Sequence, residues 1–151
     1  MFHVALWEPE IPPNTGNIAR LCAATGAELH LIGRLGFRLD DRSLRRAGLD
    51  YWSDVPLHRH ASLPELEAAV AGRRIFCFSA HAAIPYTDAG YQPGDCLLFG
   101  GESHGLPPGV VARHAGRAFR IPMPTGKVRS LNLATAVGIV LYEALRQARA
   151  W

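Results

Sequence analysis

Short apolar runs alternate with helix signals from one end of this 151-residue chain to the other, and no other feature restricts its fold as strongly. Phe2 to Trp7 reads as a first strand. Pro12-Pro13-Asn14 then opens a helix carrying Ile18, Leu21, Cys22 and Thr25 at helical spacing until Gly26 ends it. Glu28 to Ile32 reads as the second strand, and Ser62-Leu63-Pro64-Glu65 is a capping box with proline in the first turn, starting a helix that ends near Gly72. Further strands are expected over Arg74 to Ser79, Asp95 to Phe99 and Phe119 to Pro122, with a short helix from Pro107 to His114 and a last one from about Ser130 to Ala148. Strands that keep returning through helices pair in parallel, since an antiparallel neighbour needs only a tight turn. The expected fold is α/β, a mostly parallel sheet flanked by helices, with ligands beyond the carboxyl ends of the strands. No linker, repeat or shift in composition interrupts the pattern, so residues 1–151 read as a single domain.

The last helix is apolar on two sides, with Leu131, Leu141 and Leu145 on one and Leu133, Val137 and Val140 on another. A sheet covers only one side, so a second surface is expected over the other. Hydrophobic residues make up 48% of the chain and charged ones 19%, which excludes a disordered segment. No apolar run approaches a membrane span, and the start Met1-Phe2-His3 lacks a secretory layout, so the reading is a cytoplasmic protein with no membrane partner. Cys22, Cys77 and Cys96 are odd in number, far apart and set in apolar runs, as reduced core thiols are. A zinc site would need closely spaced ligands. His58-Arg59-His60 is the only tight pair and has no cysteine or carboxylate beside it, so the reading is exposed loop histidines and no metal.

The formal charge of +3 and a pI near 9.0 are compatible with a polyanionic partner without specifying one. Arg34, Arg38, Arg42, Arg45 and Arg46 fall within thirteen residues, offset only by Asp40 and Asp41. Both a solvated helix face and an RNA-contacting patch fit this density, and the two remain open.

Three segments sit where a parallel sheet presents a ligand. They are Asn14-Thr15-Gly16-Asn17-Ile18-Ala19-Arg20; Leu98-Phe99-Gly100-Gly101-Glu102-Ser103-His104-Gly105-Leu106-Pro107; and Ile121-Pro122-Met123 leading through Lys127-Val128-Arg129 to Ser130-Leu131-Asn132-Leu133. Asn17 and Arg20 lie on one flank of the first helix, away from its apolar stripe; alternatively Asn14 only caps that helix and Arg20 pairs with a surface acid. Glycines directly after a buried strand let the backbone approach a ligand, although a plain tight turn would look the same. The ending of a phosphate-binding P-loop is absent, and so is a dinucleotide-binding glycine pattern after the first strand. Capping accounts for Ser130 but not for Lys127, Arg129 and Asn132 around it.

In order and spacing these segments resemble the three motifs of the SpoU branch of the SPOUT methyltransferases. Trp7-Glu8-Pro9-Glu10-Ile11-Pro12-Pro13-Asn14-Thr15-Gly16-Asn17, Leu44-Arg45-Arg46-Ala47-Gly48-Leu49-Asp50-Tyr51 and Tyr142-Glu143-Ala144-Leu145-Arg146-Gln147 extend the likeness to its TrmL-like subgroup, which methylates the wobble ribose of transfer RNA. The resemblance implies a SPOUT-type fold with a deep C-terminal trefoil knot, which general topology would not predict. It also implies a homodimer, S-adenosyl-L-methionine as methyl donor and the anticodon loop of a transfer RNA as partner. Carried over by position, the catalytic group is Arg20, Asn14, Glu102, Ser130 and Asn132. The cofactor contacts are Phe78, Gly100, Ile121, Met123, Ser130 and Leu131. The candidate RNA contacts come from the arginine cluster and the third segment, as Arg34, Arg38, Arg42, Arg45, Arg46 and Arg129. Arg20 is expected to act in the site of the partner subunit, orienting the substrate phosphate and stabilising the developing alkoxide, because a guanidinium is a poor base. The competing readings are a non-catalytic knotted RNA-binding or ribosome-assembly module and an ordinary doubly wound nucleotide-binding enzyme.

Overall fold

The computed structural model describes residues 1–40, 42–48 and 52–151, and within residues 42–48 the side chains of Arg45 and Ala47 are not described. Seven strands, β1 (His3–Trp7), β2 (Glu28–Ile32), β3 (Leu57–His60), β4 (Ile75–Phe78), β5 (Ile84–Pro85), β6 (Cys96–Gly100) and β7 (Ala118–Arg120), form one sheet in the order β3-β2-β1-β6-β4-β7-β5. Every pairing is parallel. Around it lie α1 (Pro12–Thr25), α2 (Arg42–Gly48), α3 (Leu63–Ala69), α4 (Pro108–Arg113) and α5 (Leu133–Ala148). The chain runs outward through β1, β2 and β3, then crosses to build the other half, with β6 inserted beside β1.

Side chains alternate across the strands, so each face has its own apolar core. On one face Val4, Leu6, Leu29, Leu31, Phe76, Leu97 and Phe99 pack beneath α1 and α5. On the other Ala5, Ile32, Ile75, Cys77 and Leu98 pack beneath Leu63 and Leu66 of α3 and Val110 of α4. The middle strands are buried on both sides, which is why they read as unbroken apolar runs.

Helix ends differ from the sequence reading in instructive ways. The Ser62 box forms, with Ser62 Oγ accepting from Glu65 N at 3.4 Å while Glu65 reaches back to the Ala61 amide at 2.6 Å, but α3 stops at Ala69, short of Gly72. The last helix starts at Leu133 rather than Ser130, because Asn132 is its cap, its side chain accepting from Thr135 N at 3.1 Å. Ser130 therefore caps nothing. Both apolar sides of α5 are covered within the chain, since Leu133, Val137, Val140, Leu141, Ala144 and Leu145 are all buried between the sheet and α1. The expected second surface is thus supplied by the first helix.

His58 and His60 are not loop residues: they lie on β3, facing the same way as His30 of β2. His30 is 2% exposed, and its ring stacks on His58 with centroids 4.6 Å apart. Burial, reinforced by the neighbouring imidazoles, pushes His30 down to about 3 and also lowers His3 and His60. Polar strands such as β3 and two-residue strands such as β5 carry no periodic signal and are absent from the sequence reading, whereas α2 covers part of the stretch for which a solvated helix face was one of two readings. The three cysteines are free and buried, and burial pushes each thiol up to about 12, as inert core residues require.

Candidate active site

The carboxyl ends of β4 and β6 and the chain leaving β7 enclose a cavity of about 550 Å³, within the range that small-molecule sites occupy. Phe78 closes β4 and Gly100 closes β6; Ile121 and Met123 follow β7, and Ser130 and Leu131 precede α5. All six residues expected to touch a cofactor line this one cavity, together with Asn14, Glu102, Arg129 and Asn132. Ile11, Ser79, His81, His104 and Leu106 line it as well and were missed, although the first residues beyond the strand expected to end at Ser79 are where such a sheet exposes side chains.

Three segments far apart in sequence meet through side chains on this wall. Glu102 accepts from the Glu10 amide at 2.8 Å, from the Ile11 amide at 2.8 Å and from Asn14 Nδ2 at 3.2 Å. Asn132 Nδ2 donates to Asn14 Oδ1 at 3.0 Å. Asn14 is thus not the helix cap considered above. Ile11 takes the cap position with no side-chain bond, and the Asn14 amide instead joins the loop after β6 to the start of α5. In return Glu10 accepts from the Ser103 amide at 3.0 Å and its hydroxyl at 2.7 Å, and those two bonds hold its carboxyl below the usual range.

Both Glu102 oxygens are occupied by donors that fix the entry of α1, so this carboxylate positions the site. Glu102→Gln keeps the size but turns an amide NH2 toward a backbone donor. The expected result is a loss of about 1–3 kcal/mol in urea-unfolding stability, with a weaker cofactor affinity.

Arg20 is exposed on α1 and does not line the cavity of its own chain. Arg34 lines an adjoining cavity of about 400 Å³ that shares Gly101, His104, Gly105 and Leu106 with the first. Arg34 and Arg38 lie in the loop before α2, and Arg42 and Arg46 on α2, so the cluster is not one helix face. All four are exposed, as is Arg129, and Arg38 meets Asp40 at 3.3 Å. The Arg45 side chain, Asp41 and Leu49-Asp50-Tyr51 lie outside the described residues.

Comparison with known proteins adds four findings. Residues 1–142 match the model of the SpoU rRNA Methylase family. A Burkholderia pseudomallei protein named tRNA (cytidine(34)-2'-O)-methyltransferase is 49% identical over 98% of this chain and 96% of its own length. A solved structure described as giving insights into the 2-OH methylation of C/U34 on tRNA superposes with a TM-score of 0.93 at 52% identity, covering 97% of this chain and 95% of the other. The SpoU methyltransferase AviRb from Streptomyces viridochromogenes, solved in complex with AdoMet, superposes with a TM-score of 0.83 at 28% identity, over 96% of this chain and 57% of that one.

Proposed function

The chain belongs to the SpoU rRNA Methylase family, and from that premise we propose that it is a transfer RNA 2'-O-ribose methyltransferase, acting on the wobble nucleotide 34, a cytidine or modified uridine, with S-adenosyl-L-methionine as donor. The observation that carries this reading is the joining of Asn14, Glu102 and Asn132 into one hydrogen-bonded wall of a cavity of cofactor size. The residues present fit such a donor. Phe78, Phe99, Leu106 and Leu131 offer apolar walls for an adenine, and Gly100 brings bare backbone to the cavity edge.

When bound, S-adenosylmethionine supplies a methyl group on a sulfonium, open to in-line attack by the ribose 2'-oxygen. The chain's own contribution is positioning and charge. Phe78, Gly100, Ile121, Met123, Ser130 and Leu131 hold the donor, and the Asn14–Glu102–Asn132 cluster fixes the loops that carry them. Arg20 enters from the partner protomer, orients the phosphate beside the target ribose and stabilises negative charge growing on its 2'-oxygen. This assignment makes the enzyme a homodimer, because Arg20 lies away from the cavity of its own chain.

The same proposal takes residues 1–151 as one methyltransferase domain whose C-terminal part forms a trefoil knot. The loop after β6 and the chain from Ile121 to Leu131 line one cavity, as they would if one were threaded past the other. Arg34, Arg38, Arg42, Arg45, Arg46 and Arg129 grip RNA phosphates, with Arg34 in the cavity that adjoins the donor site. Transfer RNA as substrate places the enzyme in the cytoplasm. Among the described residues no helix is long and apolar enough to cross a membrane. An anticodon loop suits a chain this small, since its riboses and bases are exposed without opening a duplex.

The test is incubation with methyl-labelled donor and total transfer RNA, followed by nuclease digestion and mass spectrometry. The label is expected on the 2'-oxygen of nucleotide 34. A label on a base, or on a ribose outside the anticodon loop, defeats the substrate assignment.

A further inference from the structure

On the β1-β2-β3 side of the sheet, the register of three strands gathers four histidines and a glutamate on one face. His3 opens β1 opposite Glu28, which opens β2; two residues on, His30 lies opposite His58 of β3, and His60 follows. His3 Nδ1 and His30 Nε2 stand 3.0 Å apart, and Glu28 Oε2 lies 3.7 Å from His3 Nδ1. One ligand atom from each of these three residues lies within 4.8 Å of the other two. His3 and His30 are buried, and Glu28 is partly so.

We propose that His3 Nδ1, His30 Nε2 and Glu28 Oε2 form a binding site for a divalent transition metal of the zinc class. Two imidazole nitrogens and one carboxylate oxygen suit such an ion, and a fourth position remains for water on the side of Glu28, the more exposed ligand. The surroundings are those of a metal site rather than of three converging side chains alone. A ligating imidazole normally donates its other N–H to a fixed acceptor. His30 Nδ1 has such a partner within reach, His60 Nε2 at 2.9 Å, and the tautomer that donates there leaves the Nε2 lone pair for a metal. The carboxylate is oriented in the same way, with His58 Nε2 2.9 Å from Glu28 Oε2. Glu28 Oε2 thus has two imidazole nitrogens within 4 Å, which fix its position beside His3.

The role is structural. Methyl transfer takes place at the carboxyl ends of β4 and β6, whereas the three ligands belong to β1 and β2, with His3 and Glu28 at the opening ends of those strands, so the ion takes no part in it. It would fasten the first residues of β1 to β2 and, through His58 and His60, hold the edge strand β3, which is short and polar.

Protein dialysed against a chelator and titrated calorimetrically with zinc sulfate is expected to bind one equivalent per chain and to unfold at a higher temperature when loaded. Cobalt(II) chloride should give the visible absorption of a nitrogen- and oxygen-ligated ion. Glu28→Gln, which keeps the side-chain size at a partly exposed strand start, should weaken zinc binding by more than about 100-fold. His60→Ala, which touches the ion only through His30, should weaken it by about 10- to 100-fold. Far-UV circular dichroism establishes that both variants are folded. Absence of stoichiometric zinc binding would mean that the cluster is a hydrogen-bonded chain of neutral imidazoles, and overturns the proposal; so does binding that is unchanged in Glu28→Gln.

Discussion

Replacing Arg20 by alanine is expected to lower methyl transfer by at least about 100-fold while leaving affinity for S-adenosylmethionine nearly intact. Its α1 neighbours Ile18 and Ala19 are buried in the core, but Arg20 is exposed and absent from the cavity wall, so its loss leaves the donor site whole. A factor of 100 corresponds to about 2.7 kcal/mol of transition-state stabilisation, a reasonable size for one charged contact with a developing oxyanion. Calorimetry with the donor and single-turnover methylation of transfer RNA read the two quantities separately. If donor binding falls as far as transfer, Arg20 is a structural residue and its proposed role fails. The same assignment requires a dimer, so sedimentation at micromolar concentration should show twice the 16.4 kDa chain mass. A lone 16.4 kDa species would remove action across an interface.

The central strands were legible because burial on both faces leaves no choice of residue type. Glu28–Ile32 was read with its observed bounds, and Cys96–Gly100 to within a residue. Legibility failed at the periphery. Leu57-His58-Arg59-His60 alternates nothing apolar, and its strand state is imposed by pairing with Leu29 to Ile32. A seven-residue helix with one buried leucine, Leu44, likewise owes its form to packing on α1 rather than to a stripe of its own.

For the site, local sequence supplied the segments but not their junction. Asn14 looked like a cap because asparagine near a helix start usually is one. Its partners Glu102 and Asn132 are 88 and 118 residues away, a pairing that exists only once β6 is inserted beside β1. The histidine cluster was hidden for the same reason. His3, Glu28 and His30 have no metal-ligand spacing along the chain and become neighbours through parallel register alone. Ser130 was misread in the other direction, since a serine before an apolar run resembles a cap that Asn132 in fact provides.

Gly100→Ala should abolish donor binding, lowering affinity by at least about 100-fold, with the sheet left in place. A Cβ built on Gly100 would lie 2.0 Å from the Gly105 carbonyl carbon, 2.2 Å from Leu106 N and 2.4 Å from Gly105 Cα. These are backbone atoms, with no rotamer through which to yield, so the turn after β6 must move outward. That turn is also tied down: the Gly105 amide donates to the Gly101 carbonyl at 3.0 Å, and Ser103 is bonded to Glu10. Displacing it disturbs Glu102, and through Glu102 the entry of α1 and the Asn14–Asn132 bridge. Overpacking of this kind costs about 1–3 kcal/mol or more, and 2.7 kcal/mol is already a hundredfold in affinity. The sheet should survive, because β6 pairs with β4 through Cys96 to Phe99 and with β1 through the same residues, leaving only the last pair, Trp7 with Gly100, at the substitution. Gly105→Ala is the informative contrast. Its φ of +64° makes an added side chain strained, yet nothing lies within 4 Å of the new Cβ. It should therefore cost only about 1–2 kcal/mol in stability and leave donor affinity near that of the parent. Calorimetric titration with S-adenosylmethionine and urea unfolding of the two variants decide the matter. Equal loss of affinity in both would mean that turn flexibility, and not the close approach at Gly100, governs the site.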